Sequence, residues 1–336
     1  MSDDSVVLAW QPRVVRELAR RCKQVVVLSE KAGKCELPAN VHLEQIVGRS
    51  LPKFTRRLAM LQQARRLCRE HRVNGVFIHM AHRYAYRLAP AFRWQGLPVL
   101  LWYAHGSTTW HLRLAHLCVN RVISSTPEGF RIPSGKAFFI GQGVDTDLFN
   151  LRAVASEASD IITVSRISRR KRLDLLLDVM ARLRGDGLRL KIIGAGLTDD
   201  DRRYESELRT RSENESLPVD FAGSVSMEKI APFYDTALMH LNVSQTNSMD
   251  KTVLEALACG CPVLTSNPAF HELFKAHPDF IIKDDSPDAI AEQIRFVRAN
   301  RGKWTPEQLR GLVIGHHDLH SHAGRIMEHL HAMVSS

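Results

Sequence analysis

The sequence predicts an α/β protein with two domains, each built on a doubly wound parallel sheet. Its 336 residues are about twice the length of a typical domain. Short apolar runs alternate with amphipathic stretches along the chain, as strands alternate with helices in parallel sheets. No repeat, low-complexity tract or apolar run of roughly 20 residues breaks this alternation. We expect domains at 1–150 and 151–320, with a C-terminal helix at 321–336 that packs back on the first domain.

The elements of the first domain follow from apolar runs and their spacing. The predicted strands are short runs with apolar residues at their centres, and they lie at 24–28, 75–79, 98–103, 121–125 and 136–140. Helical spacing predicts helices at 14–21 and 53–72. Residues 6–9 are a further candidate strand, followed by a short loop without glycine. The glycine-containing segment that starts at 143 and runs to 158 is the predicted hinge.

The second domain shows the same alternation more clearly. Its predicted strands lie at 160–165, 188–193, 219–222, 237–243 and 262–266. Helices are predicted at 173–184, 227–235, 251–258 and 323–333, and Gly185 stands where a left-handed cap would end the first of them. Another helix begins at Ser286-Pro287, an N-cap followed by proline at the first helical position. The acidic run Asp199–Asp201 is interpreted as a solvated turn.

Two basic residues follow the first strand of the second domain. Arg166 and Lys171 lie between a strand end and a helix, and ligands of open α/β sheets bind at the carboxyl ends of strands. A diphosphate there is well matched by an arginine fork and a lysine point charge. The alternative is a solvated basic loop.

The next two segments are a glycine pair and a loop that leads into a helix. Gly194 and Gly196 follow an apolar strand and can let a backbone approach a ligand, although a tight turn is the simpler interpretation. The 244–252 loop precedes a helix N-terminus that can bind phosphate. Glu255 stands one turn into that helix among apolar residues, so its carboxylate needs a partner such as a ribose diol or a nearby arginine.

Together these segments resemble the C-terminal domain of family-four glycosyltransferases, the retaining enzymes of the GT-B fold, which has two Rossmann-like domains and a cleft between them. The resemblance covers most of 135–275. It implies that Arg166 and Lys171 act on the donor diphosphate, that Gly194 and Gly196 form the donor loop, and that Glu255 binds ribose. The donor-binding residues it implies in the loop and helix are Asn247, Ser248, Asp250, Lys251 and Thr252. The segment 140–145 is similar to the family's entry to the second domain.

Two departures from the family pattern stand out. Asn247 occupies the position of the first glutamate of the Glu-x7-Glu motif, so a mechanism that needs a carboxylate there would fail, whereas a same-face, ion-pair-like displacement tolerates an amide. The glycine loop before the helix is replaced by Met249-Asp250-Lys251. Lys251 can assist the phosphates, but Asp250 opposes them unless it points away or caps the helix.

The first domain offers one candidate catalytic residue. His105 follows the 98–103 strand and resembles the cleft-facing histidine of family mannosyltransferases that act on phosphoinositide lipids. Any one of the 16 histidines taken alone is more often structural. Its position at a strand's carboxyl end favours a role in the site.

The charge is unevenly distributed along the chain. Residues 1–150 carry 22 Lys/Arg against 10 Asp/Glu, a balance of +12, and the remainder carries 24 against 26, a balance of −2. We expect an anionic partner for the first half, and the basic 53–72 helix can lie on an anionic membrane or simply pack on the core with a solvated arginine face. Nucleic acid is not expected, because no aromatic-interleaved basic motif is present.

These observations predict a retaining glycosyltransferase that moves a sugar from a UDP- or GDP-linked donor to a saccharide or lipid-linked saccharide acceptor. No metal and no other cofactor are expected. The acidic N-terminus and six scattered cysteines indicate a cytoplasmic protein with reduced, mostly buried thiols. The basic first half adds the expectation of contact with a membrane surface. The alternatives are a non-catalytic relative that binds a nucleotide or a protein partner, and a UDP-sugar epimerase, whose acids and histidines are not matched here.

Overall fold

The structure, a computed structural model that describes residues 10–47, 52–151 and 160–335, divides the chain into two compact units. Unit 1 runs to Gly143 and includes the chain from Leu319 onward, and unit 2 is Val144–Asp318. The candidate strand at 6–9, residues 152–159 of the predicted hinge and the side chains of Lys53 and Phe54 lie outside the described part. No helix among the described residues is long and apolar enough to cross a membrane.

Unit 1 contains two parallel sheets. The strands of the smaller sheet are β1 (Val25–Ser29) and β2 (Val41–Gln45). The larger sheet has the order β3-β4-β5-β6, with the strands β3 (Val76–His79), β4 (Val99–Trp102), β5 (Arg121–Ser124) and β6 (Ala137–Phe139). The helices of this unit are α1 (Trp10–Ala19), α2 (Lys53–Glu70), α3 (His82–Trp94), α4 (Trp110–Cys118) and, from the end of the chain, α11 (Leu319–Val334).

The C-terminal helix belongs to the core of unit 1. Its residues Ala323 and Ile326 are buried against Leu100 and Ile123 of the central strands and against Leu18 of α1. Because the larger sheet is parallel, both of its faces need cover, and α1 and α11 cover one of them.

Unit 2 is a single five-stranded parallel sheet in the order β11-β10-β7-β8-β9. Its strands are β7 (Asp160–Val164), β8 (Arg189–Ile193), β9 (Val219–Gly223), β10 (Ala237–Asn242) and β11 (Val263–Thr265). Its helices are α5 (Leu173–Arg182), α6 (Asp199–Asn214), α7 (Ala231–Asp235), α8 (Lys251–Ala258), α9 (Pro287–Ala299) and α10 (Pro306–Gly311). From β7 the chain builds two strands outward on one side and then crosses to the other, so the order reverses between β7 and β10.

Most predicted elements are present, and the errors have identifiable causes. Asp199–Asp201 is not a solvated turn but the first turn of α6, because Thr198 and Asp201 form a reciprocal capping box. The sequence prediction missed β2, α3, α4, α6 and α10. The expectation of mostly buried cysteines was wrong, because only Cys259 and Cys261 of the six are buried.

The basic helix α2 packs on the core of unit 1. Met60, Ala64 and Leu67 are buried in that core, and Arg66 forms ion pairs with Glu44 and Glu70. This arrangement fits the alternative interpretation of the helix, in which its arginine face is solvated.

Ile326→Ala should destabilise unit 1, because Ile326 is 1% exposed between α11 and the sheet. A cavity at such a site costs about 2–5 kcal/mol. The measurement is urea unfolding followed by tryptophan fluorescence, which mainly reports unit 1 because four of the five tryptophans precede residue 144. Val334→Ala, on the exposed end of the same helix, is the control, and equal midpoints for the two variants would refute this packing.

Candidate active site

The candidate donor residues lie on loops that leave one edge of the unit 2 sheet. The three adjacent strands β10, β7 and β8 are parallel, so their carboxyl ends meet at the same edge. The loop after β7 carries Arg166 and Lys171, the loop after β8 carries the two glycines, and the loop after β10 leads into α8. The reversal of strand order between β7 and β10 marks the place where ligands bind in such sheets.

A buried ion pair joins the loops on either side of this reversal. Lys171 Nζ lies 2.8 Å from Asp250 Oδ1, and the two side chains are only 16% and 13% exposed. Asp250 also accepts hydrogen bonds from Asn242 Nδ2 at 3.0 Å and from the Ser244 hydroxyl. Asp250 therefore points inward, and its negative charge is balanced by Lys171. The sequence analysis expected Asp250 to oppose the phosphates unless it pointed away or capped the helix.

The electrostatics of Asp250 show that the pair is ionised. Burial raises the pKa of its carboxyl, but the Lys171 charge and the bonds from Lys171, Ser244 and Asn242 outweigh burial and hold that pKa below its usual value. Beneath the pair, burial lowers the pKa of His240 to about 3, so this imidazole is neutral. The pair is thus a neutral unit that fixes the position of both loops.

Arg166 is an accessible cation of the first loop. Its side chain is 47% exposed, and Nε lies 3.8 Å from Asp201 Oδ2 in the first turn of α6. Burial raises the pKa of Asp201, but bonds from Thr198 and the Arg166 charge lower it further than burial raises it. A loose contact at this distance leaves the guanidinium able to donate to an arriving anion.

The two glycines are required by the protein's own backbone. Gly194 has φ +139°, and a Cβ there would lie 1.9 Å from the Ser165 carbonyl oxygen. A Cβ on Gly196 would lie 2.6 Å from the Asp201 backbone at the start of α6. At these positions the backbone approaches the neighbouring loop and helix closely, and this contact fixes the second loop beside the first. The close approach of the same backbone to a ligand stays a prediction.

Glu255 is 5% exposed on α8. Burial raises the pKa of its carboxyl to about 7, against the opposing effects of Lys251 and of a bond with the Tyr234 hydroxyl, while the charge of Asp145 raises it further. Burial likewise lowers the pKa of Lys251 to about 7. The described contacts of Glu255 thus involve a lysine one turn away and a phenol, rather than the arginine that the sequence alternative proposed.

The remaining loop residues are positioned mainly through the backbone. Asn247 has φ +51°, a left-handed conformation that asparagine tolerates better than glutamate does. The Ser248 carbonyl accepts a 2.8 Å bond from Asn267, and the Thr252 carbonyl accepts a 3.1 Å bond from Tyr234. Asp250 is the N-cap of α8 but makes no side-chain capping bond, so its carboxylate does not close the helix start.

The sequence prediction missed the polar residues that support this loop. Asn242, Ser244, Thr265 and Asn267 are each at most 4% exposed, and Thr265 donates to Asn242 Oδ1 at 3.1 Å. The sequence feature that could have identified them is a polar side chain at the end of each of two apolar strands, β10 and β11. Asn242 and Ser244 contact Asp250 directly.

His105 belongs to unit 1 and is described with it. It follows β4, its backbone N–H donates to the Gly129 carbonyl at 3.0 Å, and its ring packs 6.4 Å from that of Tyr103. The Ser107 backbone N–H lies 3.3 Å from Nδ1. Because a backbone N–H can only donate, Nδ1 is the acceptor and the neutral ring carries its proton on Nε2.

Within the described ranges no group of three or more His, Cys, Asp or Glu side chains is arranged to hold a metal ion. The donor loops themselves offer cations, the N–H groups at a helix start and one buried carboxyl group.

The segment that carries this site matches a known family model. Residues 158–300 match the model of the family described as Glycosyl transferases group 1, and this segment contains all the candidate donor residues. The match covers less than half of the chain.

A curated relative matches part of the chain. Over 141 residues the chain is 29% identical to the GDP-mannose-dependent alpha-(1-6)-phosphatidylinositol dimannoside mannosyltransferase of Mycobacterium tuberculosis. The aligned part covers 41% of this chain and 35% of the relative, so the chain spans about a third of that relative's length.

Solved structures share the fold over nearly the whole chain. A glycosyltransferase from Rickettsia africae superimposes with a TM-score of 0.80 at 15% identity, covering 98% of this chain and 96% of the other. Anabaena HepE in complex with UDP and glucose gives a TM-score of 0.79 at 15% identity, covering 98% of each chain. The chain therefore has the GT-B fold of these glycosyltransferases.

Gly194→Ala should destabilise unit 2. The substitution combines a left-handed φ with a clash against the Ser165 carbonyl, and strained backbone alone costs about 1–3 kcal/mol. Gly302→Ala is the matched control, because its Cβ would meet nothing within 4 Å. The melting temperatures of both variants are measured by circular dichroism, and equal values would show that the 194 loop is not packed as described.

Proposed function

We propose that this protein is a glycosyltransferase that takes a sugar from a nucleotide-diphosphate donor. The observation that carries the proposal is the grouping of Arg166 and Lys171, on the loop after β7, with Glu255, on the helix that follows the loop after β10, at the strand-order reversal of unit 2. These residues lie inside the segment that matches the glycosyltransferase group 1 model. The fold shared with HepE, which was solved with UDP and glucose, fits a donor of this class.

The donor diphosphate is proposed to bind at Arg166 and at the start of α8. The guanidinium of Arg166 is exposed enough to form a two-pronged hydrogen bond with phosphate oxygens. Lys171 uses one N–H on Asp250 and has two more N–H groups to offer. The dipole of α8 adds a partial positive charge at the same place.

The ribose is proposed to bind at Glu255. A buried carboxylate loses its hydrogen bonds to water, and two ribose hydroxyl groups that donate to it replace much of what was lost. Hydrogen bonds to a charged acceptor are also stronger than those to a neutral one. Burial raises the pKa of this carboxyl to about 7, and two ribose hydroxyl donors would offset that cost of burial.

Transfer is proposed to proceed with retention of configuration and without a metal ion. The bond from the sugar C1 to the phosphate oxygen breaks, and the acceptor oxygen bonds to C1 on the same face. The acceptor hydroxyl proton passes to the departing diphosphate, whose growing charge Arg166 and Lys171 stabilise. Asn247, an uncharged amide, then hydrogen-bonds the donor sugar instead of serving as a nucleophile.

The acceptor is proposed to be a saccharide or a lipid-linked saccharide. The named substrate of the Mycobacterium tuberculosis relative is a phosphatidylinositol dimannoside, and the basic charge of the first 150 residues favours an anionic acceptor. We place the protein in the cytoplasm at a membrane surface. His105, at the carboxyl edge of the unit 1 sheet, is proposed to donate its Nε2 proton to an oxygen of the transferred sugar.

Glu255→Gln should change how donor affinity depends on pH. Below pH 7 the wild-type carboxyl is protonated and resembles the amide; above pH 7 it is ionised and accepts the ribose hydroxyls more strongly. The ratio of wild-type to variant affinity should therefore rise between pH 6 and pH 8, approaching tenfold.

The measurement is isothermal titration calorimetry with UDP-glucose and with GDP-mannose, whose phosphates do not titrate in this range. The wild type and the Glu255→Gln variant both contain Lys251. The titration of Lys251 therefore affects the ratio of the two affinities less than it affects each affinity alone. A ratio that stays flat would remove Glu255 from the ribose site, and binding of neither donor nor any other nucleotide sugar would overturn the proposed function.

Arg166→Ala and His105→Ala should separate binding from chemistry. Each should lower turnover by about 10²-fold or more, because each acts on charge or hydrogen bonding that develops in the transition state. His105→Ala should leave donor affinity within about twofold of the wild-type value. Release of nucleotide from the donor, with and without saccharide acceptors, measures turnover, and calorimetry measures affinity.

The matched controls are Arg189→Ala, at the opposite edge of the unit 2 sheet, and His331→Ala, on the exposed end of α11. Unchanged turnover in His105→Ala would remove that residue from the site. Donor binding without turnover in the wild-type protein, against every acceptor, would instead favour the non-catalytic alternative that Asn247 raises.

A further inference from the structure

The outward face of α4 is apolar, although the opposite face is already buried. Leu112 and Ala115 of this helix are fully buried in the core of unit 1. On the other side Trp110, Leu114 and Leu117 are 62%, 39% and 67% exposed. These three residues are spaced i, i+4 and i+7, so they form one stripe along the helix. A surface helix normally turns polar residues to water, and a helix that is apolar all round is normally covered.

A further exposed tryptophan lies on the neighbouring helix α3. Trp94, at the end of α3, is 82% exposed. The guanidinium of the preceding residue, Arg93, lies 3.4 Å from the Cys118 carbonyl at the end of α4, which brings the two helix ends together. We call the exposed side chains of Trp94, Trp110, Leu114 and Leu117 the α3–α4 surface.

The stretch of sequence that contains this surface carries charge of a single sign. From residue 71 to residue 127 the sequence contains six arginines and neither aspartate nor glutamate. Arg113 is exposed on the same side of α4, between the apolar residues. The guanidinium of Arg65, from α2, lies 5.7 Å from the Trp94 ring. An acidic partner would therefore meet cations and apolar groups together, with no acidic side chain of this stretch opposing it.

We propose that the α3–α4 surface docks on an anionic lipid bilayer. Tryptophan rings prefer the interface between headgroups and hydrocarbon, leucines insert beside them, and arginines bind lipid phosphates. Another protein would need a surface of complementary shape, whereas a bilayer accepts an apolar stripe of this kind without one, and its anionic headgroups can pair with the arginines. The surface lies entirely on unit 1, and it differs from the basic face of α2, whose apolar side is occupied by the core.

This proposal deepens the proposed function, because it rests on a lipid-linked acceptor that the enzyme meets at the membrane. Trp110 lies five residues after His105, and its ring stacks on that of His111 at 3.7 Å. A bilayer bound at α4 would thus lie next to the loop that carries His105. Lipid binding itself needs neither donor nor turnover, so a vesicle experiment can fail independently of the transferase activity.

The test is flotation of the full-length protein with vesicles of phosphatidylcholine alone and of phosphatidylcholine with phosphatidylglycerol. We expect binding to the anionic vesicles only, weakened in high salt. The triple variant Trp110→Ser, Leu114→Ser, Leu117→Ser should bind at least tenfold more weakly. The matched control is Phe296→Ser with Ile314→Ser, two residues of unit 2 that are 42% and 45% exposed, and it should bind like the wild type.

Two further measurements make the result specific. The melting temperature and the donor affinity of the triple variant should equal those of the wild type, because the changed residues are exposed and lie outside unit 2. Brominated lipids should quench tryptophan fluorescence in the wild type, and this quenching should largely disappear in Trp94→Phe with Trp110→Phe.

Three outcomes would overturn the proposal. They are wild-type protein that stays unbound at low salt, a triple variant that floats like the wild type, and equal binding to neutral and anionic vesicles. Light scattering that shows a wild-type dimer and a monomeric triple variant would assign the surface to a second copy of the chain instead.

Discussion

The buried ion pair between Lys171 and Asp250 is the interaction on which the candidate site depends. It joins the loop after β7 to the loop after β10, the two central strands between which the strand order reverses. A buried pair is maintained only when further hydrogen bonds compensate for lost hydration, and Asn242 and Ser244 supply them. Removing one partner from such a pair costs about 3–5 kcal/mol, since the other charge stays buried. Both donor loops, and the start of α8 that follows Asp250, therefore keep their positions together.

This arrangement divides the work among the cations of the site. Lys171 is committed to Asp250, so the accessible Arg166 is the principal ligand proposed for the diphosphate. The structure also gives a physical setting for Asn247, whose left-handed backbone suits asparagine. In this account a carboxylate at that position is replaced by an amide, while an acid three residues later is neutralised by lysine. The region near the donor sugar is therefore less negative than in the family pattern.

The sequence predicted the second unit better than the first for a physical reason. The strand β10 is buried along its whole length and reads as a nearly continuous apolar run, and helix 251–258 is marked by its apolar spacing. The helices α3 and α4 were missed because histidines and arginines interrupt their apolar pattern, and α4 is apolar on its exposed face as well. The candidate residues Arg166, Lys171 and Glu255 could be predicted from motif spacing. The partner of Lys171 could not, because Asp250 is 79 residues away and only the fold brings the two together.

The central claim is that a nucleotide sugar binds at the carboxyl edge of the unit 2 sheet. Hydrogen exchange followed by mass spectrometry, with and without saturating UDP-glucose or GDP-mannose, tests it most directly. The account predicts slower exchange in the three loops at 165–171, 194–198 and 244–252 and in the first turn of α8, and little change in β9 or α9. Protection that appears elsewhere in unit 2 while these loops exchange as before would contradict it.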